Sequence, residues 1–213
     1  MPQRCDRVET TSFWWGRLPH WEVVDGRYFV TIRLAGALPE TGSRRVRDLS
    51  AQYGDAVRNG QDGLRLRRAV FREMELWLHT SSQVTHLVQP AVAGLVTEAI
   101  RHRQEQGVWE VFAYVLMPNH IHLFVRVLQG SLRETLGSFK SWTGGAAASM
   151  LGLQAGRFWQ REWFDHWSRS GSEDEKISQY VRANPVKAGL VRTSAEWPHG
   201  SWPASPPAGG HPR

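Results

Sequence analysis

The chain has 213 residues, 41% hydrophobic and 22% charged, which is enough to bury a sizeable core and too apolar for a disordered polymer. Its net charge of +6 points toward an anionic partner. Cys5 is the only cysteine, which excludes an internal disulfide framework, and no apolar run nears the roughly 20 residues of a spanning helix.

The N-terminal segment has no basic-then-apolar leader, so the expected location is the cytoplasm, with no membrane partner. Residues 1–26 alternate polar and aromatic without a sustained period and read as an irregular lead-in. Tyr28 to Leu34 is a β-branched and aromatic strand with Val30, Ile32 and Leu34 facing inward. Ala35 to Gly63 reads as an irregular insert, with Pro39, several glycines and at most a short helix around Val46–Tyr53. Helical spacing then runs from Leu64 to His79, with Leu66, Val70, Met74, Trp77 and Leu78 toward one face. Its Arg65, Arg67, Arg68 and Arg72 suit a solvated face or an anion contact. A second helix starts at Pro90, a good first-turn residue, and ends near Gln106.

Val108 to Leu116 forms a strand that turns through Met117-Pro118-Asn119 into a second strand beginning at His120. Residues two apart on a strand share a face. Ile121, Leu123, Val125 and Val127 therefore make one aliphatic face, and His120, His122, Phe124 and Arg126 the other. Two imidazoles one repeat apart can converge on one divalent ion or phosphate, although such a pair alone is commonly half-exposed and without a ligand. Leu132 to Leu151 is helical, with Gly144-Gly145 weakening its middle. Phe158 to Trp167 is aromatic and strand-like. Ser172 and Glu175 have capping-box spacing for a last helix that carries Ile177, Tyr180 and Val181 before Asn184-Pro185. Residues 203–213 read as a disordered tail after a single domain spanning 1–202. The element order suits an α+β fold, an antiparallel sheet with helices packed on it.

Tyr180 and Asn184, four apart, share a helical face. Facing the two histidines, they would complete an active site. His120, His122 and Asn184 would hold a divalent cation, Mg²⁺ or Mn²⁺, and Tyr180 would attack a phosphate. A helical tyrosine is also a common packing residue, and Asn before Pro a common turn. Eleven tryptophans interleaved with arginines could stack on unpaired bases, or serve simply as core and rim packing.

Tyr114 to Val125, Tyr-Val-Leu-Met-Pro-Asn-His-Ile-His-Leu-Phe-Val, resembles the signature of the single-tyrosine transposases, whose His-hydrophobic-His strand defines the HUH nucleases. Phe158 to His166, followed by Ile177 to Val191 with its Tyr180 and Asn-Pro-Val-Lys-Ala-Gly, is similar to the C-terminal half of the REP-associated tyrosine transposases. Trp197-Pro198 and Ser201-Trp202 are similar to the close of that branch. The resemblance covers about residues 12–203. It implies a ferredoxin-like antiparallel sheet with the tyrosine helix beside it. It also implies His120 and His122 as metal ligands, Asn184 as a third amide-type ligand, and Tyr180 as the nucleophile that becomes joined to a 5′-phosphate of single-stranded DNA. Many members carry a second tyrosine where this chain has Ala183, so Tyr180 stands alone.

The implied activity is a metal-dependent DNA transposase or endonuclease acting on single-stranded or hairpin DNA, which would make the protein nucleoid-associated when bound. Candidate DNA contacts are Arg126, Arg133, Lys140, Arg161, Arg169, Arg182 and Lys187. Two rivals predict different behaviour. A hairpin-binding relative without chemistry would bind and form no covalent product. A phosphoesterase with a water nucleophile would survive Tyr180→Phe. The sequence leaves monomer or homodimer open.

Overall fold

The structure, a computed structural model, describes residues 9–80, 83–154 and 156–201, so the expected tail at 203–213 lies outside the described residues. Four antiparallel strands form the central sheet in the order β4-β5-β3-β6: β3 is Arg27–Arg33, β4 Trp109–Leu116, β5 His120–Val127 and β6 Phe164–Trp167. β4 and β5 are joined by the Met117-Pro118-Asn119 turn, closed by the Met117 amide donating to the His120 carbonyl at 2.8 Å. β3 pairs with β5 so that Thr31 lies beside His122, Phe29 beside Phe124 and Arg33 beside His120.

Both faces of β5 are buried. Ile121, Leu123 and Val125 lie against the layer of α3 (Pro90–Glu105) and α4 (Leu132–Leu151), where Trp109 donates to the Ile100 carbonyl and packs on Phe139. Pro90 opens α3 in its first turn, as the sequence suggests. Gly144 suits the middle of α4 because a Cβ there would come within 3.1 Å of the Trp159 ring. The histidine face is covered by α2 (Leu64–Thr80) and α5 (Gly171–Lys187). Its two histidines are fully buried rather than half-exposed, because two helices close over them.

The structure corrects several expectations. The described part of the expected irregular lead-in, residues 9–26, is ordered: Thr10–Trp15 (β1) and Pro19–Val23 (β2) form an antiparallel hairpin. Its cross-strand pairs are aromatic, Phe13 against Trp21 and Trp14 stacked on His20, so the aliphatic signature of a strand is missing. The insert 35–63 is mostly one 19-residue helix, α1 (Glu40–Arg58). Gly42, which reads as a breaker, lets α1 approach α2, since a Cβ there would meet the Trp77 ring at 2.7 Å. β6 is shorter than the aromatic run suggests, with only a single bridge from Trp159 to Leu34 before it. The cap of α5 is Ser170, whose Oγ accepts from the Glu173 amide, rather than Ser172 with Glu175. α5 also continues past Asn184. Pro185 falls in its last turn, where forfeiting one amide bond disturbs little.

Candidate functional site

The site is built on the buried histidine face and lies between β5, α2 and α5. His120 and His122 are both fully buried, and their Nε2 atoms are 3.1 Å apart. Their orientations follow from their other ring nitrogens. The Asn119 amide nitrogen donates to the Leu78 carbonyl at 2.7 Å, so its Oδ1 faces His120 Nδ1, 2.6 Å away, and can only accept. The His120 proton therefore sits on Nδ1 and Nε2 presents a lone pair. Thr31 Oγ1, 2.9 Å from His122 Nδ1, can fix that ring in the same sense. Burial and the neighbouring His122 push the His120 imidazole well below its ordinary range, which keeps it neutral and able to ligate.

α2 adds two residues that sequence reasoning missed. Glu75 Oε2 lies 3.4 Å from His122 Nε2 and 3.6 Å from His79 Nε2, and it accepts a hydrogen bond from the Tyr180 hydroxyl. Glu75, His79 and His120 each offer an atom within 4.8 Å of the others. Burial alone would raise the Glu75 carboxyl, but His122, His120 and the Tyr180 hydroxyl outweigh it and hold the group well below its usual range. Glu75 Oε1 is buried with no hydrogen-bond partner among the described residues. The available signal was positional: Glu75 and His79 are four apart and border the Val70, Met74, Leu78 stripe, where ionisable side chains are out of place unless used.

Tyr180 and Asn184 project from α5 on the face toward β5, as their spacing suggests. The Tyr180 and His122 rings lie 5.6 Å apart between centroids. Burial, then the Glu75 carboxylate, push the Tyr180 hydroxyl far above its ordinary range, so its proton is held firmly at Oη. Asn184 is fully buried, and its Oδ1 sits 3.1 Å from His79 Nε2. Two imidazoles, a carboxylate and an amide oxygen are a donor set that suits a divalent ion, and their mixed nitrogen and oxygen character fits Mn²⁺ better than Mg²⁺.

Of the expected DNA contacts, Lys187 adjoins this cluster, with its Nζ 4.4 Å from the Tyr180 ring centre. Arg126 is ion-paired with Glu110 at 2.7 Å. Lys140 donates to the Arg161 carbonyl and covers the Trp163 ring. Arg133 and Lys140 belong to α4, across the sheet from Tyr180. Arg161 is exposed away from it, Arg182 is half-buried on α5, and Arg169 is exposed just before α5. Among the described residues no helix is long and apolar enough to cross a membrane.

The family model for IS200-like transposases matches residues 77–184, a span that holds His120, His122, Tyr180 and Asn184. No curated protein gives a match. Among solved structures, a REP-associated tyrosine transposase bound to a REP hairpin superposes with a TM-score of 0.52 at 17% identity, covering 83% of this chain and 76% of that one. The shared feature is the fold.

Proposed function

The chain belongs to the IS200-like transposase family, and from that premise we propose that it cleaves and rejoins single-stranded or hairpin DNA through a covalent 5′-phosphotyrosine on Tyr180. The observation that carries this reading is the convergence of the Tyr180 hydroxyl, the Glu75 carboxylate and the two facing histidine Nε2 atoms in one buried cluster.

In the forward step the Tyr180 Oη attacks phosphorus, the bond from phosphorus to the 3′-oxygen breaks, and that oxygen leaves as a hydroxyl by taking up the proton that Tyr180 gives up. Glu75 Oε2 already holds the Tyr180 hydroxyl proton in a hydrogen bond, so it is placed to take that proton as the bond to phosphorus forms. A divalent ion held by His120, His122 and Glu75, with Asn184 and His79 at its edge, would supply charge neutralisation at the phosphate oxygens. Lys187, beside the Tyr180 ring, can add a positive charge to the same phosphate. Attack by another 3′-hydroxyl on the phosphotyrosine reverses the step and joins strands without ATP.

The test is a denaturing gel of a labelled hairpin oligonucleotide, from repeats flanking the gene, incubated with Mn²⁺ or with chelator. A protein-sized, protease-sensitive labelled band is expected from wild type with Mn²⁺, and none from Tyr180→Phe. Cleavage that persists in Tyr180→Phe would replace this reading with a water-using nuclease. Tight binding with no product in any lane would leave a hairpin-binding protein without chemistry.

A further inference from the structure

A groove of about 720 Å³ runs between α2 and the start of α5 and ends at Tyr180. Its rim is cationic. Arg65, Arg68 and Arg72 stand at i, i+3 and i+7 on α2, one face of the helix, rising about 4.5 and 6 Å along the axis between successive residues. All three are exposed and have no ion pair among the described residues. Arg169 and Lys176 face them from the α5 side, both exposed. The groove's carboxylate, Glu173, is already engaged: it accepts from the Arg169 amide at 2.8 Å and pairs with His166 Nε2 at 2.7 Å. Phe71 lies on the floor, half-buried, with its ring centre 5.8 Å from that of Tyr180 and 4.9 Å from that of Phe164.

We infer that this groove is the path by which an unpaired nucleic-acid strand reaches Tyr180, with the α2 arginines on its phosphates and Phe71 under a base. The inference rests on the proposed DNA chemistry and identifies the surface that serves it. Unpaired exposed arginines along one side match a strand carrying a charge per nucleotide, and an aromatic floor matches bases whose faces are free. A duplex would use the rim alone, because its bases are already stacked. Of the contacts expected from the sequence, Arg169 lines this groove, whereas Arg133 and Lys140 stand on α4, across the sheet.

The experiment is fluorescence anisotropy with a labelled thymidine oligonucleotide of about twelve nucleotides, titrated with salt, beside a duplex of equal length. Three proteins are compared with wild type. The first is Arg65→Gln/Arg68→Gln/Arg72→Gln. The second is a control with equal loss of charge, Arg44→Gln/Arg157→Gln/Arg192→Gln, all exposed elsewhere. The third is Phe71→Leu, which keeps an apolar side chain in place. The groove triple is expected to bind the single strand at least about tenfold more weakly, with a salt slope reduced by about 2, at about 0.7 per lost phosphate contact. Phe71→Leu is expected to weaken binding about 5- to 100-fold without changing that slope. Equal losses in the groove triple and the control, or equal binding of duplex and single strand by wild type, would overturn the groove while leaving DNA as the partner. No binding of either DNA by wild type would remove the proposed function as well.

Discussion

Two buried clusters of histidine and carboxylate differ in how their polar atoms are used. In the first, His20 of β2 pairs through Nδ1 with Asp165 of β6, while its Nε2 lies 3.8 Å from Glu162. Asp165 also accepts from the Trp163 indole at 3.0 Å, and Glu162 from the Arg17 amide at 3.1 Å. Trp14 stacks on the His20 ring. The donors and acceptors close on one another, and the result is a clamp that ties the β1–β2 hairpin to the sheet. In the second cluster two imidazole Nε2 atoms face each other, and one oxygen of Glu75 has no partner among the described residues. Saturated buried polar groups hold a fold together, whereas converging, partly unsatisfied ones are arranged for something that binds.

Mutations should separate the clusters sharply. The largest expected effect is Tyr180→Phe, which should reduce covalent adduct to background on the denaturing gel while binding in the anisotropy assay persists. Glu75→Gln removes the acceptor for the tyrosine proton and is expected to lower the cleavage rate about 10²- to 10⁴-fold, read as single-turnover product formation. Asn119→Ala frees the His120 ring from its tautomer lock and should weaken Mn²⁺ binding about 10- to 100-fold, measured by titration calorimetry. In the clamp, His20→Ala strands the buried Asp165 carboxylate and should destabilise folding by about 3–5 kcal/mol in urea, with the rate per folded molecule unchanged.

A pH prediction sharpens the same contrast. Burial alone would lower the His20 imidazole, but Asp165 and Glu162 outweigh it and raise it to about 9 from an ordinary 6.5. The folded state therefore holds this proton more tightly than the unfolded state. The stabilisation is complete below about pH 6.5 and is lost as the pH rises through about 9, an amount of about 3 kcal/mol. Thermal unfolding at pH 6 and pH 10 should show a drop for wild type that is largely absent in His20→Ala.

Much of the site was legible because its chemistry is local in sequence. His120 and His122 announce a shared strand face by period alone, and Tyr180 with Asn184 a shared helix face. Asn119 was legible only as a turn residue; its role as the lock on His120 depends on the Leu78 carbonyl, 41 residues away. Glu75 and His79 enter from α2 through tertiary packing, and their four-residue spacing beside an apolar stripe does not say which strand they meet. The β1–β2 hairpin and α1 were misread for related reasons. Aromatic cross-strand pairs replace the usual aliphatic alternation in the hairpin, and Gly42 in α1 answers to the Trp77 ring of another helix.

The central claim is that transesterification occurs at Tyr180 in the Glu75–His120–His122 cluster. The most direct measurement is mass spectrometry of the protein–DNA adduct after digestion with protease and nuclease. The account predicts a nucleotide 5′-phosphate on the peptide containing Tyr180 and on no other. A nucleotide on Tyr28, Tyr53 or Tyr114, or strand cleavage with no adduct at all, would contradict it.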